Sequence, residues 1–351
     1  MKRYLALAVV GIVVVLGAIA TQKSVRGQNP AAAQARDKQA ALEAATPKLN
    51  ITEEVLPLVV PGHTIGETEG VSKNSKGHLF VYSRTGYGGI ARGATAAELF
   101  EFDQNLKFVK LWGPDNYAAS FAHSVRVDKY DNVWMVDEGS GMIVEFDPNA
   151  NVKMVVGRKP EAIDYMETYV ERGTKDTNLH PNGDLGTFNR ETDIAWDPQD
   201  DMFISDGYGN SRVVKIDKDN HWKAVGTYGK GQDQFDTPHG IATDPNGNVY
   251  VADRGNNRIQ VYDYDLKYKR TITGMGAPWS VQVTPKYIYS GDGNGKIYQF
   301  DHGGKLLGWA QTKMGQGPTD YCVIHELYAE SDNVLYRGSC SAWNVEKITI
   351  K

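Results

Sequence analysis

The chain has 351 residues, of which 41% are hydrophobic and 23% are charged, and its formal net charge is −5. This ordinary composition permits one large domain or two small ones. Removing residues 1 to 28 would take away four basic residues and no acidic one, which changes the net charge from −5 to −9. A net negative charge of this size argues against nucleic acid as a partner.

The N-terminus has the features of an export signal. Lys2 and Arg3 precede an apolar run over residues 4–20, and Ala18 and Ala20 suit a signal-peptidase site. The run lies at the lower length limit for crossing a bilayer, so an uncleaved anchor stays open as an alternative. We therefore expect an exported protein, periplasmic or extracellular, with membrane contact only through an uncleaved segment 4–20.

Residues 1–28 are predicted to be the signal peptide or anchor. Residues 29–50 are rich in Ala, Gln and charged residues and have no apolar face able to join a core. They are predicted to form a tether with some helix.

From residue 51 to residue 351 the chain consists of six copies of one β-rich unit. Each copy has an alternating apolar run, a turn such as DPNGN, a second run that ends near Asp-Gly, and a third run such as RIQVYD. Four antiparallel strands repeated at about 40 residues predict an all-β, six-bladed β-propeller. Fourth strands are predicted at 108–113, 152–157, 222–229, 268–274 and 305–310.

The sixth copy has no fourth strand of its own, because the chain stops at Lys351 after its third run. Residues 55–60 (VLPLVV) have β composition and belong to no copy, and Pro57 is acceptable only on a sheet edge. We predict that this segment closes the ring as the missing outer strand.

Two segments exceed what a blade needs, at residues 85–98 and 159–190. Long loops in a compact domain are often functional, so either could form a wall or lid over the ring. The two cysteines, Cys322 and Cys340, lie in the last copy, and export favours a bridge between them over two buried thiols.

Three histidines occupy the same position of the repeat, in copies two, four and six. They are His123, His239 and His325, separated by 116 and 86 residues. Alternate blades of a six-bladed ring lie about 120° apart, so these imidazoles can point at one place on the axis. Three neutral histidines leave an open position on a metal ion, as catalytic zinc sites do. The other three copies have Glu69, Thr192 and Trp279 at this position.

Residues that follow the second strands should lie at the same channel mouth as the histidines, because the second strand runs antiparallel to the first. An arginine there can hold a carboxylate through paired hydrogen bonds, and a tyrosine beside a divalent cation is a credible base. The residues at these positions are Arg84, Glu138, Tyr208, Arg254 and Asp292.

The run HGIATDPNGNVYVADRGNNRIQVYD resembles an NHL repeat, and residues 65 to 350 resemble the peptidyl-α-hydroxyglycine α-amidating lyase family. The resemblance is most specific in DMFISDGYGNSRVVKID and in the ADRGNNRIQ segment. It implies zinc at His123, His239 and His325, a base at Tyr208, and active-site arginines at Arg84 and Arg254. The implied reaction cleaves a C-terminal α-hydroxyglycine into a peptide amide and glyoxylate.

The resemblance also implies a structural calcium ion, held by the backbone carbonyls of Val71 and Val125 and by Glu326, where the family has aspartate. The family's cysteine beside the catalytic tyrosine is Gly209 here. A glutamate can still bind calcium, with a shifted geometry.

Three classes of function remain open. The first is the zinc lyase, a monomer acting on a small molecule or peptide with a free carboxylate. The second is a noncatalytic NHL-repeat scaffold that binds a protein or peptide. The third is a calcium-dependent lactonase-type hydrolase, which is disfavoured because Glu69 is the only carboxylate, and no residue is Asn or Asp, at the six axial positions.

Overall fold

A computed structural model describes residues 30–84, 97–159, 187–313 and 322–351. These residues form six four-stranded antiparallel sheets, with strands in sequential order in five of them. The first strand of each sheet contacts the first strands of the two neighbouring sheets, so the six sheets form a closed ring. The predicted six-bladed β-propeller is confirmed.

Blades 1 to 3 cover the first half of the ring, and each first strand lines the channel. The strands of blade 1 are Glu67–Lys73, Leu79–Arg84, Ala97–Phe102 and Phe108–Trp112. Those of blade 2 are Ala122–Val127, Val133–Asp137, Met142–Phe146 and Val152–Gly157. Those of blade 3 are Asp193–Trp196, Met202–Asp206, Arg212–Ile216 and Trp222–Val225.

Blades 4 to 6 complete the ring, and a short parallel pair, Thr227–Tyr228 with Gln234–Phe235, precedes blade 4. The predicted fourth strands are present, with ends that differ by a few residues. The strands of blade 4 are Pro238–Asp244, Asn248–Asp253, Arg258–Tyr262 and Tyr268–Ile272. Those of blade 5 are Pro278–Val283, Ile288–Asp292, Lys296–Phe300 and Leu306–Gln311. The first three strands of blade 6 are Glu326–Ser331, Val334–Ser339 and Asn344–Ile350.

The fourth strand of blade 6 comes from the N-terminal side of the ring, as predicted, but it is Ile51–Val55 instead of 55–60. It pairs antiparallel with Asn344–Ile350, from Ile51 opposite Ile350 to Val55 opposite Glu346. Pro57 cannot donate to a ladder. Leu56, Leu58 and Val60 instead pack into the core between blades 6 and 1, whereas Val59 is exposed.

The hydrophobic core is divided into six clusters, one between each pair of adjacent blades. Hairpin turns are stabilised by aspartates; Asp244, for example, accepts the N–H groups of Asn246 at 2.9 Å and Asn248 at 3.1 Å. Because the aspartate side chain accepts backbone N–H groups that would otherwise lack a partner in the turn, each strand ends at a defined residue. The core and the turns together place every first strand in the same orientation around the channel.

The segment predicted as a tether contains a helix, Pro30–Ala45, whose C-terminal end packs on blade 5. The carboxylate of Glu43 accepts hydrogen bonds from Lys296 and Tyr298, both at 2.7 Å. The described residues include no helix long and apolar enough to cross a membrane. Residues 4–20 and most of the two long loop segments lie outside the described residues.

Candidate metal centre

β-bulges turn the axial residues of the innermost strands toward the channel. The pairing of first and second strands skips from Ala122 to Ser124 and from Pro238 to Gly240, so His123 and His239 are the bulged residues. A bulge re-aims one side chain without ending the strand. His325 directly precedes its strand and donates its backbone N–H to Gly338 at 3.0 Å.

The three predicted histidines meet on the axis of the ring. Their ring centroids are 4.6, 4.6 and 5.0 Å apart, and each side chain is almost completely buried. The Nδ1–H groups donate to backbone carbonyls of the next blade, at 2.6, 2.7 and 2.9 Å. These carbonyls belong to Thr192, Trp279 and Glu69, which occupy the histidine position in the intervening copies.

This hydrogen bonding leaves the three Nε2 atoms as the available metal ligands. A carbonyl acceptor on Nδ1 fixes the tautomer and orients the ring, as in many metal sites. One possible ligand atom from each histidine lies within 4.8 Å of the others. Among the described residues, His123 Nε2 is buried without a hydrogen-bond partner. A divalent metal ion between the three rings would satisfy it.

The surroundings also keep the imidazoles neutral, which metal binding requires. Burial is the main cause that lowers the pKa of His123, His239 and His325 well below 6.5, and the positive charge of Arg84 acts in the same direction on two of them. The positive charge of Arg254 lowers the pKa of all three histidines.

Tyr208 and Arg254 lie against this centre, as the sequence predicts. The Tyr208 hydroxyl is 3.1 Å from His239 Nε2 and also accepts a hydrogen bond from Arg254 Nη1 at 3.1 Å. The Arg254 guanidinium stacks 4.4 Å from the ring of Trp279, a contact that the sequence did not suggest. Burial raises the pKa of Tyr208, and the charge of Arg254 opposes that effect.

Arg84 is also at the predicted mouth, and it is surrounded by carboxylates. Its Nη1 atom is 3.2 Å from Glu67 and 3.0 Å from Glu69, and its Nη2 atom is 3.7 Å from Glu138. Its Nε–H donates to the Ala122 carbonyl at 3.0 Å, so the guanidinium is held beside the strand that presents His123. Burial raises the pKa of Glu69 to about 8, although the charge of Arg84 opposes it.

Sequence reasoning missed Arg190 as a site residue. This arginine has a left-handed backbone, with φ of 64°, pairs with Glu138, and stacks 4.3 Å from the Tyr208 ring. Its position at the end of a long loop, two residues before Thr192, was the available signal. Asp292, in contrast, caps its own turn by accepting the N–H groups of Asn294 at 3.0 Å and Lys296 at 2.8 Å.

The residues predicted to hold calcium form an internal ion-pair network. Glu326 accepts the backbone N–H of Val71 at 3.0 Å and pairs with Arg126 at 2.7 Å. Arg126 also pairs with Asp193, through bonds of 2.8 and 2.6 Å. Because the guanidinium already neutralises Glu326, these residues do not fit a calcium ion on Val71, Val125 and Glu326.

The fold and its centre define the class of the protein: a six-bladed NHL-repeat β-propeller with three histidines converging on the channel axis. The NHL repeat family model matches residues 235–262. Solved structures with the same fold include a streptogramin B lyase, with a TM-score of 0.54 at 13% identity over 86% of this chain and 98% of that one. A putative gluconolactonase structure also has a TM-score of 0.54, at 14% identity over 87% of this chain and 94% of that one.

Curated relatives narrow the class. Human NHL repeat-containing protein 3 is 30% identical over 211 residues, and the match spans 56% of each chain. A probable peptidyl-alpha-hydroxyglycine alpha-amidating lyase of Caenorhabditis elegans is 24% identical over 69% of this chain and 71% of its own. Rat peptidylglycine alpha-amidating monooxygenase is 24% identical over 81% of this chain, which spans 30% of that protein. The chain is a six-bladed propeller that contains an NHL repeat, and its sequence is similar to those of these amidating-lyase proteins.

Proposed function

We propose that this protein is a metal-dependent carbon–nitrogen lyase that cleaves a C-terminal α-hydroxyglycine, or a similar N-acyl hemiaminal, into an amide and glyoxylate. The observation that supports it best is one contact chain: the Tyr208 hydroxyl touches both His239 Nε2 and the Arg254 guanidinium. The residues that we propose as base, metal ligand and carboxylate-binding group thus belong to one hydrogen-bond network.

His123, His239 and His325 would hold the metal, for which zinc is our proposal. Bound there, zinc supplies a Lewis acid for the substrate hydroxyl oxygen and a positive charge that favours the phenolate of Tyr208. Copper, nickel, cobalt and iron also accept imidazole ligands.

Tyr208 would remove the proton of the substrate hydroxyl. As the carbonyl of glyoxylate forms, the C–N bond breaks and the amide nitrogen takes up one proton, so the products contain all the atoms of the substrate and no water is consumed. The same tyrosine can return the proton to the leaving nitrogen. Proton transfer by one positioned side chain contributes about 10²- to 10⁴-fold to a rate.

Arg254 is the better candidate for binding the substrate carboxylate. Its side chain is buried, and within the described ranges no carboxylate lies at ion-pair distance from it. A buried guanidinium without an anion is costly, so an anionic substrate group would be favoured there. Arg84, already paired with three carboxylates, would instead stabilise negative charge that develops near His123.

We propose a monomer, exported from the cytoplasm, acting on a small molecule or a peptide with a free carboxylate.

Metal analysis and glyoxylate release test this proposal. We expect one zinc per chain, lost when all three histidines are replaced by alanine. Tyr208→Phe should lower kcat with an α-hydroxyglycine peptide by about 10²-fold or more, whereas the exposed Tyr117→Phe serves as the matched control. A wild-type protein that binds no metal after zinc reconstitution would overturn the metal site. One that binds zinc yet releases no glyoxylate from several such peptides would overturn the reaction.

A further inference from the structure

We infer that Glu69 is a fourth protein ligand of the metal, so that the centre is a three-histidine, one-glutamate site. The inference rests on the proposed metal centre and adds an anionic oxygen ligand to it. With four protein ligands, the ion must accept a fifth ligand to bind substrate, which zinc and other first-row divalent ions can do.

Glu69 is presented to the axis in the same way as the histidines. It occupies their position of the repeat in blade 1, between the blades of His325 and His123. The strand pairing skips from Thr68 to Gly70, so Glu69 is also the residue at a bulge. Its side chain is completely buried. The backbone device that aims His123 and His239 therefore aims a carboxylate at the same centre.

One residue contacts both nitrogens of the His325 ring. The Glu69 carbonyl accepts the Nδ1–H at 2.9 Å, and Oε2 of the same residue is 3.0 Å from Nε2. Because Nδ1 carries the hydrogen, Nε2 presents a lone pair to a carboxylate oxygen. The contact therefore needs either a proton shared between the two atoms or a cation that both can bind, and a metal ion would also satisfy the buried Nε2 atom of His123.

The separation matches neighbouring ligands of one metal ion. With metal–nitrogen and metal–oxygen distances of about 2.0 to 2.2 Å, adjacent ligand atoms lie about 2.9 Å apart in octahedral and about 3.4 Å apart in tetrahedral geometry. The 3.0 Å between Glu69 Oε2 and His325 Nε2 falls within this range. Glu69 is not among the residues whose ligand atoms lie within 4.8 Å of one another at the centre, so its side chain would move toward the ion on metal binding.

The charge around Arg84 supports the same conclusion. Three carboxylates, from Glu67, Glu69 and Glu138, lie within 4.0 Å of its guanidinium, and Glu138 has a further partner in Arg190. Glu69 uses only Oε1 for Arg84, at 3.0 Å, which leaves Oε2 for the centre. When all three are ionised, the carboxylates outnumber the two guanidinium groups, so a bound metal ion would be stabilised here and would favour the ionised form of Glu69.

Substitution of Glu69 in the metal-loaded protein tests the inference. Glu69→Gln should weaken cobalt(II) and zinc binding, measured by chelator competition, by about 100-fold or more, and should change the d–d absorption of the cobalt(II) protein. The matched control is Glu67→Gln, which also removes a carboxylate from Arg84 but does not contact a histidine. We expect this control to keep its metal affinity within about threefold, and to keep the spectrum of the wild type.

Glu69→Gln with the affinity and spectrum of Glu67→Gln would overturn the inference, since Glu69 would then act only through Arg84. If Glu69→Gln does not fold, Glu69→Asp retains the charge with a shorter reach, and unchanged affinity in that variant would overturn it equally. Failure here is distinct from failure of the proposed function. A wild type that binds no metal refutes both, whereas normal metal binding in the Glu69 variants refutes the fourth ligand alone.

Discussion

Arg126 should stabilise the ring through its ion pairs with two carboxylates, and its removal should lower the free energy of unfolding by several kilocalories per mole. The guanidinium comes from blade 2 and is almost completely buried. It pairs with Asp193 of blade 3 at 2.6 and 2.8 Å and with Glu326 of blade 6 at 2.7 Å. Arg126→Met keeps most of the side-chain length and removes only the charge and the donors.

The expected loss follows from the burial of both partners. Removing one member of a buried ion pair typically costs about 3 to 5 kcal/mol, because the remaining charge is left uncompensated. Here two carboxylates remain, but other donors compensate them in part. The Ser124 hydroxyl lies 2.9 Å from an oxygen of each and donates its one hydrogen to one of them, and the Ile241 N–H donates to Asp193 at 3.0 Å. We therefore expect the free energy of unfolding to fall by about 3 kcal/mol.

Urea unfolding with and without calcium measures this effect. The wild type should have the same midpoint in chelator and in millimolar calcium, whereas Arg126→Ala, which leaves two carboxylates and a space, should gain stability from calcium. Lys129→Met breaks an exposed pair with Asp200 and should cost under about 1 kcal/mol. A wild type stabilised by calcium, or an Arg126→Met loss no larger than that control, would refute the reasoning.

Three further predictions concern stability. Gly207→Ala would place a Cβ atom 1.9 Å from the Pro238 carbonyl oxygen, so we expect a loss of about 1 to 3 kcal/mol in denaturant unfolding; wild-type stability would contradict this close approach. Glu43→Ala should release the N-terminal helix from blade 5 and speed hydrogen exchange in residues 34–45 without shifting the global midpoint; unchanged exchange would show that other contacts hold the helix. Replacing Cys322 and Cys340 by serine removes a bridge across 18 residues and should cost about 3 kcal/mol, and stability insensitive to reductant in the wild type would argue against it.

The blades and the positions of the axial histidines could be predicted because both depend on local pattern. Strand periodicity and turns of the Asp244 type repeat within each copy, and the histidines recur in the same frame as those turns. The closing strand was misplaced for the opposite reason. Residues 55–60 have the stronger β composition, but the outer position of blade 6 is decided by pairing with Asn344–Ile350, far along the chain, and the ladder selects Ile51–Val55.

The disulfide between Cys322 and Cys340 could be expected from their shared repeat, and the structure confirms it, with Cα atoms 5.5 Å apart. The role of Arg190 could not be expected in the same way. Its side chain reaches Tyr208 from the end of a long loop through a left-handed backbone conformation, which no propensity indicates for arginine.

The sequence by itself determined the number of blades, the alternation of His123, His239 and His325, and the presence of Tyr208 and Arg254 at the same mouth, since periodicity and strand direction follow from nearby residues. Only the tertiary structure decided what surrounds them. The Glu69 side chain reaches His325 across 256 residues, and Arg126 places its guanidinium beside Glu326. Contacts between residues so distant in sequence depend on ring closure, and their electrostatics depend on burial, which no single copy of the repeat specifies.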